Sequence, residues 1–522
     1  MITECGAPGG ALDIAVVGSG ISGLSAAWLL SQRHRVTLFE AADRLGGHSN
    51  TVEADGVPVD TGFIVYNERT YPNLTALFAH LGVPTRETVM SFAVTLDQGR
   101  LEYSGDLRGL FAQRRNLVSP RFWSMLRDLV RFYKAAPRDL PEMGELGLGA
   151  YLDGLGCGPA FRDDHLYPMA AAIWSTPVRD IPHHPAAAFV RFFENHGLLQ
   201  FRERPRWRTV DGGSREYVKR ISAPFIERVR LSSPVQRIRR LPDGVLIDGG
   251  CGWERFDQVV LATHADQSLA MLGDADDDER RLLGAFPYRH NEAVLHADAR
   301  LMPRRRKVWS AWNYAAQRGA EQHQLSVTYW MNRLQHLPTD KDLFVTLNPL
   351  DEPDPALVIR REAYDHPVFD VAAGLAQKQL WSLQGRRRTW FCGAWFGAGF
   401  HEDGLQSGLA VAEQLGGVRR PWNVADESGR IHVTHQARVP GMCCTGDCGP
   451  ASTCCAIACC TWRSTSTGST TLRRGCGCSR AGGSTCFPSM TAISATAARC
   501  ARTPNGCCAK PASNRTAAAS CC

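Results

Sequence analysis

The sequence predicts an α/β chain: a Rossmann-like dinucleotide-binding domain built from discontinuous segments, with an α+β substrate domain inserted between them. Three observations lead there. Short apolar runs at residues 13–17 and 36–40 flank a helical stretch over 21–30, a strand–helix–strand unit. Glycines stand where the first run gives way to the helix. Two long stretches rich in Trp, Phe, Tyr and Arg, residues 81–204 and 271–384, separate further strand-like pieces.

Each remaining element follows from local pattern. Residues 255–263 (RFDQVVLAT) read as a buried strand, and 231–248 as two strands around the Pro242-Asp243-Gly244 turn. Residues 389–392 read as a strand that meets a glycine-rich turn and then a helix over 405–415. The expected domains are therefore 1–80, 205–270 and 385–431 for the nucleotide, and 81–204 and 271–384 for the substrate.

Composition sets the class. The chain has 522 residues, 44% of them hydrophobic, enough to bury a large core. Its net charge of +7 sits after Gly441, where eight Lys or Arg face one acid, Asp447; the first 440 residues balance at 51 of each sign. That balance gives no electrostatic case for nucleic acid. Only Cys5, Cys157, Cys251 and Cys392 lie in the body, as expected of a reducing compartment, and 15 cysteines crowd the tail. The start of the sequence lacks the pattern of a signal peptide, and no apolar run reaches the roughly 18 residues of a spanning helix. A cytoplasmic protein is expected, with peripheral contact at the inner membrane left open.

Residues 432–522 lack helical or strand periodicity and carry five Cys-Cys pairs. We read them as a disordered tail of out-of-frame residues, since a shifted frame through repeated leucine codons yields Cys-Cys. Paired cysteines as zinc ligands are the rival reading, but no C-x-x-C pair and no histidine after His435 supports it, and no metal site is expected.

Gly18-Ser19-Gly20-Ile21-Ser22-Gly23 follows a strand and opens a helix, the setting that gives G-x-G-x-x-G its meaning. Gly18 allows the tight turn, Gly20 lets backbone approach a pyrophosphate, and Gly23 permits close helix–strand packing. The helix N-terminus offers free amides to phosphate. Glu40, 22 positions after Gly18, stands where a carboxylate accepts ribose hydroxyls. This much admits NAD or FAD.

Glu40 also opens E-x-x-x-R-x-G-G, completed by Arg44, Gly46 and Gly47, and here the chain resembles the flavin amine oxidase superfamily, which includes protoporphyrinogen oxidase and phytoene desaturase. The resemblance implies FAD, an amine-oxidase-like two-domain fold, and Arg44 and the paired glycines against diphosphate and flavin. His48 stands where members usually have Arg. Four further pieces match in the family's order. Asp60-Thr61-Gly62-Phe63 resembles the element passing the flavin ring. Ser233-Pro234-Val235 resembles the strand whose valine backbone meets adenine, and Phe256 to Thr263, which carries Ala262, resembles the strand that ends under the cofactor. Phe391-Cys392-Gly393-Ala394 with Gly404-Leu405-Gln406-Ser407-Gly408 resembles the closing motif, a helix N-terminus at the polar edge of the isoalloxazine. Ala394 replaces the acid common there.

Segments 309–314, 328–332 and 399–405 resemble a narrower bacterial group described as predicted NAD/FAD-binding proteins, similar to the N-terminal flavoprotein part of plant cyclopropane fatty acid synthases. By association that implies modification of lipid acyl chains. The strand that carries a lysine in many amine oxidases corresponds to residues 291–300, which have none; His296 and Asp298 are its polar members.

His401 and Glu402, with Asp403, precede the helix expected at the flavin and are the candidates for proton transfer; capping of that helix is the competing role. Trp174, Trp309, Trp312, Tyr329 and Trp330 are candidates for a cavity wall or for ordinary core. Residues 107–140 mix large apolar side chains with arginines, which suits either a membrane surface or a helix packed on the domain. The expected function is an FAD-dependent oxidoreductase moving a hydride from a hydrophobic substrate, an acyl lipid, to flavin. An amine oxidase and a flavin-binding accessory subunit of a lipid-modifying partner enzyme stay open as alternatives.

Overall fold

The computed structural model describes residues 10–434, apart from 175–177, 196, 198, 200–204, 251 and 318–324, so the tail from 435 lies outside the described residues. Five parallel strands form the first sheet, in the order Val229–Arg230, Arg35–Phe39, Asp13–Val17, Gln258–Leu261, Thr389–Phe391. Ile14, Ala15, Val16, Val259 and Val260 are fully buried, as continuous apolar runs covered on both faces must be.

All ten residues of the helix Ile21–Leu30 are buried. Its partner is the helix His401–Gly416, which ends at Gly417 in the left-handed region. The two meet backbone to backbone. A Cβ on Gly408 would lie 2.2 Å from the Ser22 carbonyl, and one on Gly404 would lie 2.8 Å from Ser22 Oγ. Gly23 seals the other side of the first helix, where a Cβ would lie 1.9 Å from the Gly18 carbonyl. Dispersion between close-packed main chains replaces side-chain interdigitation here.

Two expectations shift. Residues 255–263 form two strands, not one. Trp253–Phe256 completes a small antiparallel sheet with Arg237–Leu241 and Gly244–Asp248, and Gln258–Leu261 joins the parallel sheet. Asp257 makes the break: its backbone N–H donates to the Asp13 carbonyl and its carboxylate accepts the Asp13 N–H, both at 2.8 Å. The last helix begins at His401, four residues before the expected 405, because Asp403 accepts the backbone N–H groups of Ala398 and Phe400 at its start.

The second sheet has seven strands, in the order Val358–Pro367, Tyr288–His296, Phe344–Leu347, Leu325–Trp330, Trp312–Ala316, Phe92–Leu96, Leu101–Ser104. Only Trp312–Ala316 and Phe92–Leu96 pair in parallel. The helices Pro120–Asp139, Leu148–Gly154 and Ala186–Asn195 contribute to a separate apolar cluster around Phe132, Phe161 and Phe189. Leu272, Leu282, Leu283, Phe286, Ala373, Leu380 and Trp381 pack with the parallel sheet, although the pattern of the sequence put 271–384 in the insert.

Gly408→Val forces backbone off backbone along a buried helix pair. The expected loss is about 3 kcal/mol of stability, read as a lower denaturant midpoint; a midpoint equal to the parent's contradicts the contact.

Candidate functional site

A cavity of about 1770 Å³ opens along the carboxyl ends of the parallel strands and continues across the face of the seven-stranded sheet. One small-molecule cleft takes about 300–1,000 Å³. This space is large enough for a dinucleotide and a substrate together.

The nucleotide end is built from the glycine turn. Gly18, at φ +97, donates its N–H to the Phe39 carbonyl at 2.8 Å, and a Cβ there would meet the Ala262 carbonyl at 2.8 Å. Nothing lies within 4 Å of the position a Cβ would take on Gly20, which faces the cavity. Gly47 brings its own backbone against Gly20, where a Cβ would lie 3.1 Å from the Gly20 Cα. Glu40 sits at the end of its strand with one carboxylate oxygen accepting the Ser19 N–H at 2.8 Å and the other accepting Ala42 N–H at 2.9 Å. Arg44 donates to the Gly47 carbonyl at 2.9 Å, a single use of a fork with five donors.

Of the residues predicted from sequence, Gly18, Ser19, Gly20, Ile21, Ser22, Glu40, Arg44, Gly46 and Gly47 line the cavity. Gly62, Phe63, Val235, Ala262, Gly393 and His401 line it too. The open space over Gly20, the amides at the start of the helix, the carboxylate of Glu40 and the guanidinium of Arg44 fit an FAD adenosine and diphosphate. The fit extends toward the ring. Gly62 passes so close to the loop of His48 that a Cβ would lie 2.2 Å from the His48 carbonyl, and Phe63 N–H donates to that carbonyl at 2.8 Å. His48 itself lines the cavity with its Nε2 buried and without a protein partner.

Gly23, Glu402, Gly404, Leu405 and Ser407 do not line the cavity. Gly23 and Gly404 serve the close packing already described, and Leu405 is fully buried in the core. Ser407 positions a residue that does line it: its Oγ accepts the Gly393 N–H at 3.0 Å and lies 3.1 Å from the Gly393 carbonyl. Glu402 is the clearest correction. Its carboxylate turns away from the cavity and accepts the N–H groups of Asn73 and Leu74, each at 3.0 Å, and the Asn73 side-chain amide at 2.9 Å. It caps the helix Pro72–His80, so the geometry gives it no place in proton transfer. Asp403 caps its own helix and pairs with Arg430 at 2.8 Å.

His401 is different. Its ring stacks on Phe63 with centroids 3.9 Å apart, and its Nε2 lies 2.8 Å from the hydroxyl of Tyr217, which also bonds Ser49. Burial pushes the imidazole down to about 3, so it is neutral at physiological pH. A chain of hydroxyl, phenol and imidazole thus reaches the cavity wall.

Sequence reasoning missed Tyr217 and the aromatic group of His264, Tyr288, Tyr364 and His366. His264 stacks on Tyr288 with centroids 4.3 Å apart, and His48 stacks on Tyr364 at 4.9 Å. Nothing local marks them, because they come from separate segments. His296, by contrast, is buried in the second sheet against Thr346, and Asp298 is held by Arg300; neither reaches the cavity. Trp312 and Tyr329 line it, Trp309 and Trp330 pack beside Arg306 outside it, and the side chain of Trp174 lies outside the described residues.

Comparison with known proteins agrees with this geometry. Residues 21–291 match the family described as flavin containing amine oxidoreductase. A Mycobacterium tuberculosis protein assigned as a flavin-containing monoamine oxidase is 28% identical over 258 residues, 48% of this chain and 56% of that one. The chain spans about half the length of the curated relatives it matches. A fatty acid isomerase of P. acnes that produces CLA has the same fold, with a TM-score of 0.56 and 16% identity over 77% of this chain and 98% of the other. Cyclohexylamine oxidase of Brevibacterium oxydans gives 0.56 and 17% over 78% and 99%.

Burial pushes the Glu402 carboxyl up to about 7 from an ordinary 4.5. Its contribution to stability is therefore fully present below about pH 4.5 and lost as pH rises through about 7. Glu402→Gln is uncharged throughout. Its stability relative to the parent is expected to rise across that window, by at most about 1.4 kcal/mol per pH unit. Urea midpoints at several pH values measure this, and a difference that stays flat contradicts the buried placement.

Proposed function

The chain belongs to the flavin containing amine oxidoreductase family and is an FAD-dependent oxidoreductase; from that premise we propose that it oxidises a hydrophobic substrate, an acyl lipid, in a desaturase-like reaction. The observation that carries the proposal is the wall of the cavity beyond the nucleotide end. Phe92, Met125, Leu126, Leu129, Met169 and Phe192 line it. Two acids on that side, Asp106 and Glu87, are committed elsewhere: Asp106 accepts the Gly109 N–H of the helix Leu107–Leu110, and Glu87 pairs with Arg206 at 3.6 Å. A cationic amine gains little from such a wall, whereas an alkyl chain gains about 25 cal/mol for each Å² it buries.

In this reading Gly18, Ser19, Gly20, Glu40, Arg44, Gly46 and Gly47 hold the adenosine and diphosphate of FAD, with Val235 and Ala262 at the adenine side. Gly62, Phe63, Gly393 and His401 surround the ring end. Bound there, FAD supplies the hydride acceptor for oxidation of a substrate carbon. The protein's own work is placement and exclusion of water. Phe63 and the neutral His401 form a flat apolar-faced wall, and Tyr217 fixes the His401 ring by its hydrogen bond. Burial disfavours protonation of that imidazole, so it serves as a neutral, fixed wall at the ring end. The P. acnes protein of the same fold, whose name makes it a fatty acid isomerase, supports the reading.

Anaerobic mixing of the flavin-loaded protein with dispersed acyl lipids tests this. Loss of the flavin's visible absorbance, with a new carbon–carbon double bond in the lipid, is expected. Bleaching by amines alone, with aldehyde and ammonia released, overturns it in favour of amine oxidation. Bleaching by neither points to an accessory flavoprotein.

A further inference from the structure

We propose that the helix Pro120–Asp139 and the turn before it dock on an anionic lipid bilayer and open the cavity to it. This rests on the acyl-lipid reading above. Around the circumference of that helix four zones follow one another. Phe122, Asp128 and Phe132 face the core, and Met125, buried as well, reaches the cavity wall. Leu126, Leu129 and Tyr133, partly buried, form cavity wall. Trp123 and Val130, 49% and 39% exposed, come next, and Arg127, Lys134 and Arg131 lie beyond them in water. Val130 belongs to two zones at once: it lines the cavity and stands exposed. Val89, across the mouth, does the same at 50% exposure. An apolar path thus runs from the outer surface to the cavity interior.

The turn ahead of the helix continues the surface, with Leu117 and Val118 at 51% and 82% exposure. Isolated exposed apolar residues are ordinary, but Val89 and Val130 at the cavity mouth, with Leu117, Val118 and Trp123 on the same helix and the turn before it, are not scattered. Charge selects the partner. Between residues 114 and 139 there are seven Lys or Arg and two acids: Asp139, which pairs with Arg138, and Asp128, which is fully buried. Arg127 and Arg131 pair with it, while Arg114, Arg115 and Lys134 are exposed and have no acidic partner among the described residues. Cations beside exposed apolar side chains suit anionic headgroups with the apolar residues dipped beneath them. Among the described residues no helix is long and apolar enough to cross a membrane, so the contact proposed is with one leaflet.

Co-sedimentation of the full chain with vesicles tests the docking. Phosphatidylcholine vesicles containing phosphatidylglycerol are expected to carry the protein down at low salt, and phosphatidylcholine alone to carry much less. Arg115→Glu with Lys134→Glu should weaken binding by about tenfold or more. Leu117→Ser with Val118→Ser should also weaken it, because the apolar pair contributes insertion. All four residues lie outside the cavity wall, so flavin content and bleaching by detergent-dispersed acyl lipid should match the parent's. Parent protein left in the supernatant with anionic vesicles overturns the proposal. So does a Leu117/Val118 variant that binds as the parent does, since charge alone then explains the binding. Vesicle binding that both variants weaken, in a protein that dispersed acyl lipid does not bleach, supports the docking face and removes the acyl-lipid reading instead.

Discussion

The backbone contact between the helices Ile21–Leu30 and His401–Gly416 governs the rest of the molecule. It is made possible by Gly404 and Gly408, spaced by one turn, lying against Ser22 and Ser25. Because the last helix carries no side chain at Gly404 and Gly408, its start is pinned beside the glycine turn at Gly18–Gly23. The turn Gly393–Gly397 is carried with it, since Ser407 holds Gly393 from inside the helix. Segments almost 400 residues apart in sequence thereby close one end of a single cavity, and the family's FAD site depends on that closure.

Buried polar groups then fix the loops around the cavity. Asp60 accepts the Ser214 N–H and both the Thr51 and Ser214 hydroxyls, and its remaining partner is the Gln335 amide. Burial raises its carboxyl to about 6, yet the donors around it still favour the ionised form. Glu402 performs the same service for the helix Pro72–His80. Neither carboxylate touches the cavity; both hold in place the backbone that does. Such fully satisfied networks are rigid, which suits a site whose main task is placement.

The parts of the site that were legible in the sequence are those encoded by neighbours in the chain. Gly18, Gly20 and Gly23 act through a turn and the helix it opens, so six consecutive residues reveal them. Arg44, Gly46 and Gly47 follow Glu40 within a few residues, and the resemblance of that short run to the flavin amine oxidase superfamily is what pointed to their role. Glu402 was not legible, because its partner Asn73 lies 329 residues away and a carboxylate at a helix start reads equally well as acid, base or cap. Gly404 has a duty that was not legible for a similar reason: its missing Cβ lets the helix lie against Ser22. His48, His264 and His366 meet across three segments, and only the tertiary fold brings their rings together. The sequence did not reveal that residues of the expected insert such as Trp381 and Phe286 pack with the parallel sheet, since an apolar side chain does not declare which core it joins.

The central claim is that one cavity holds FAD at its glycine-lined end and an acyl chain at the apolar end beside Met125, Leu129 and Met169. A crystal structure of the flavin-loaded protein with a terminally brominated fatty acid tests it most directly. The account predicts a bromine anomalous peak within van der Waals contact of those three residues, with the chain running toward the ring end at Phe63 and His401. Bromine located only outside this cavity, or a chain lying across the glycine turn in place of FAD, contradicts it.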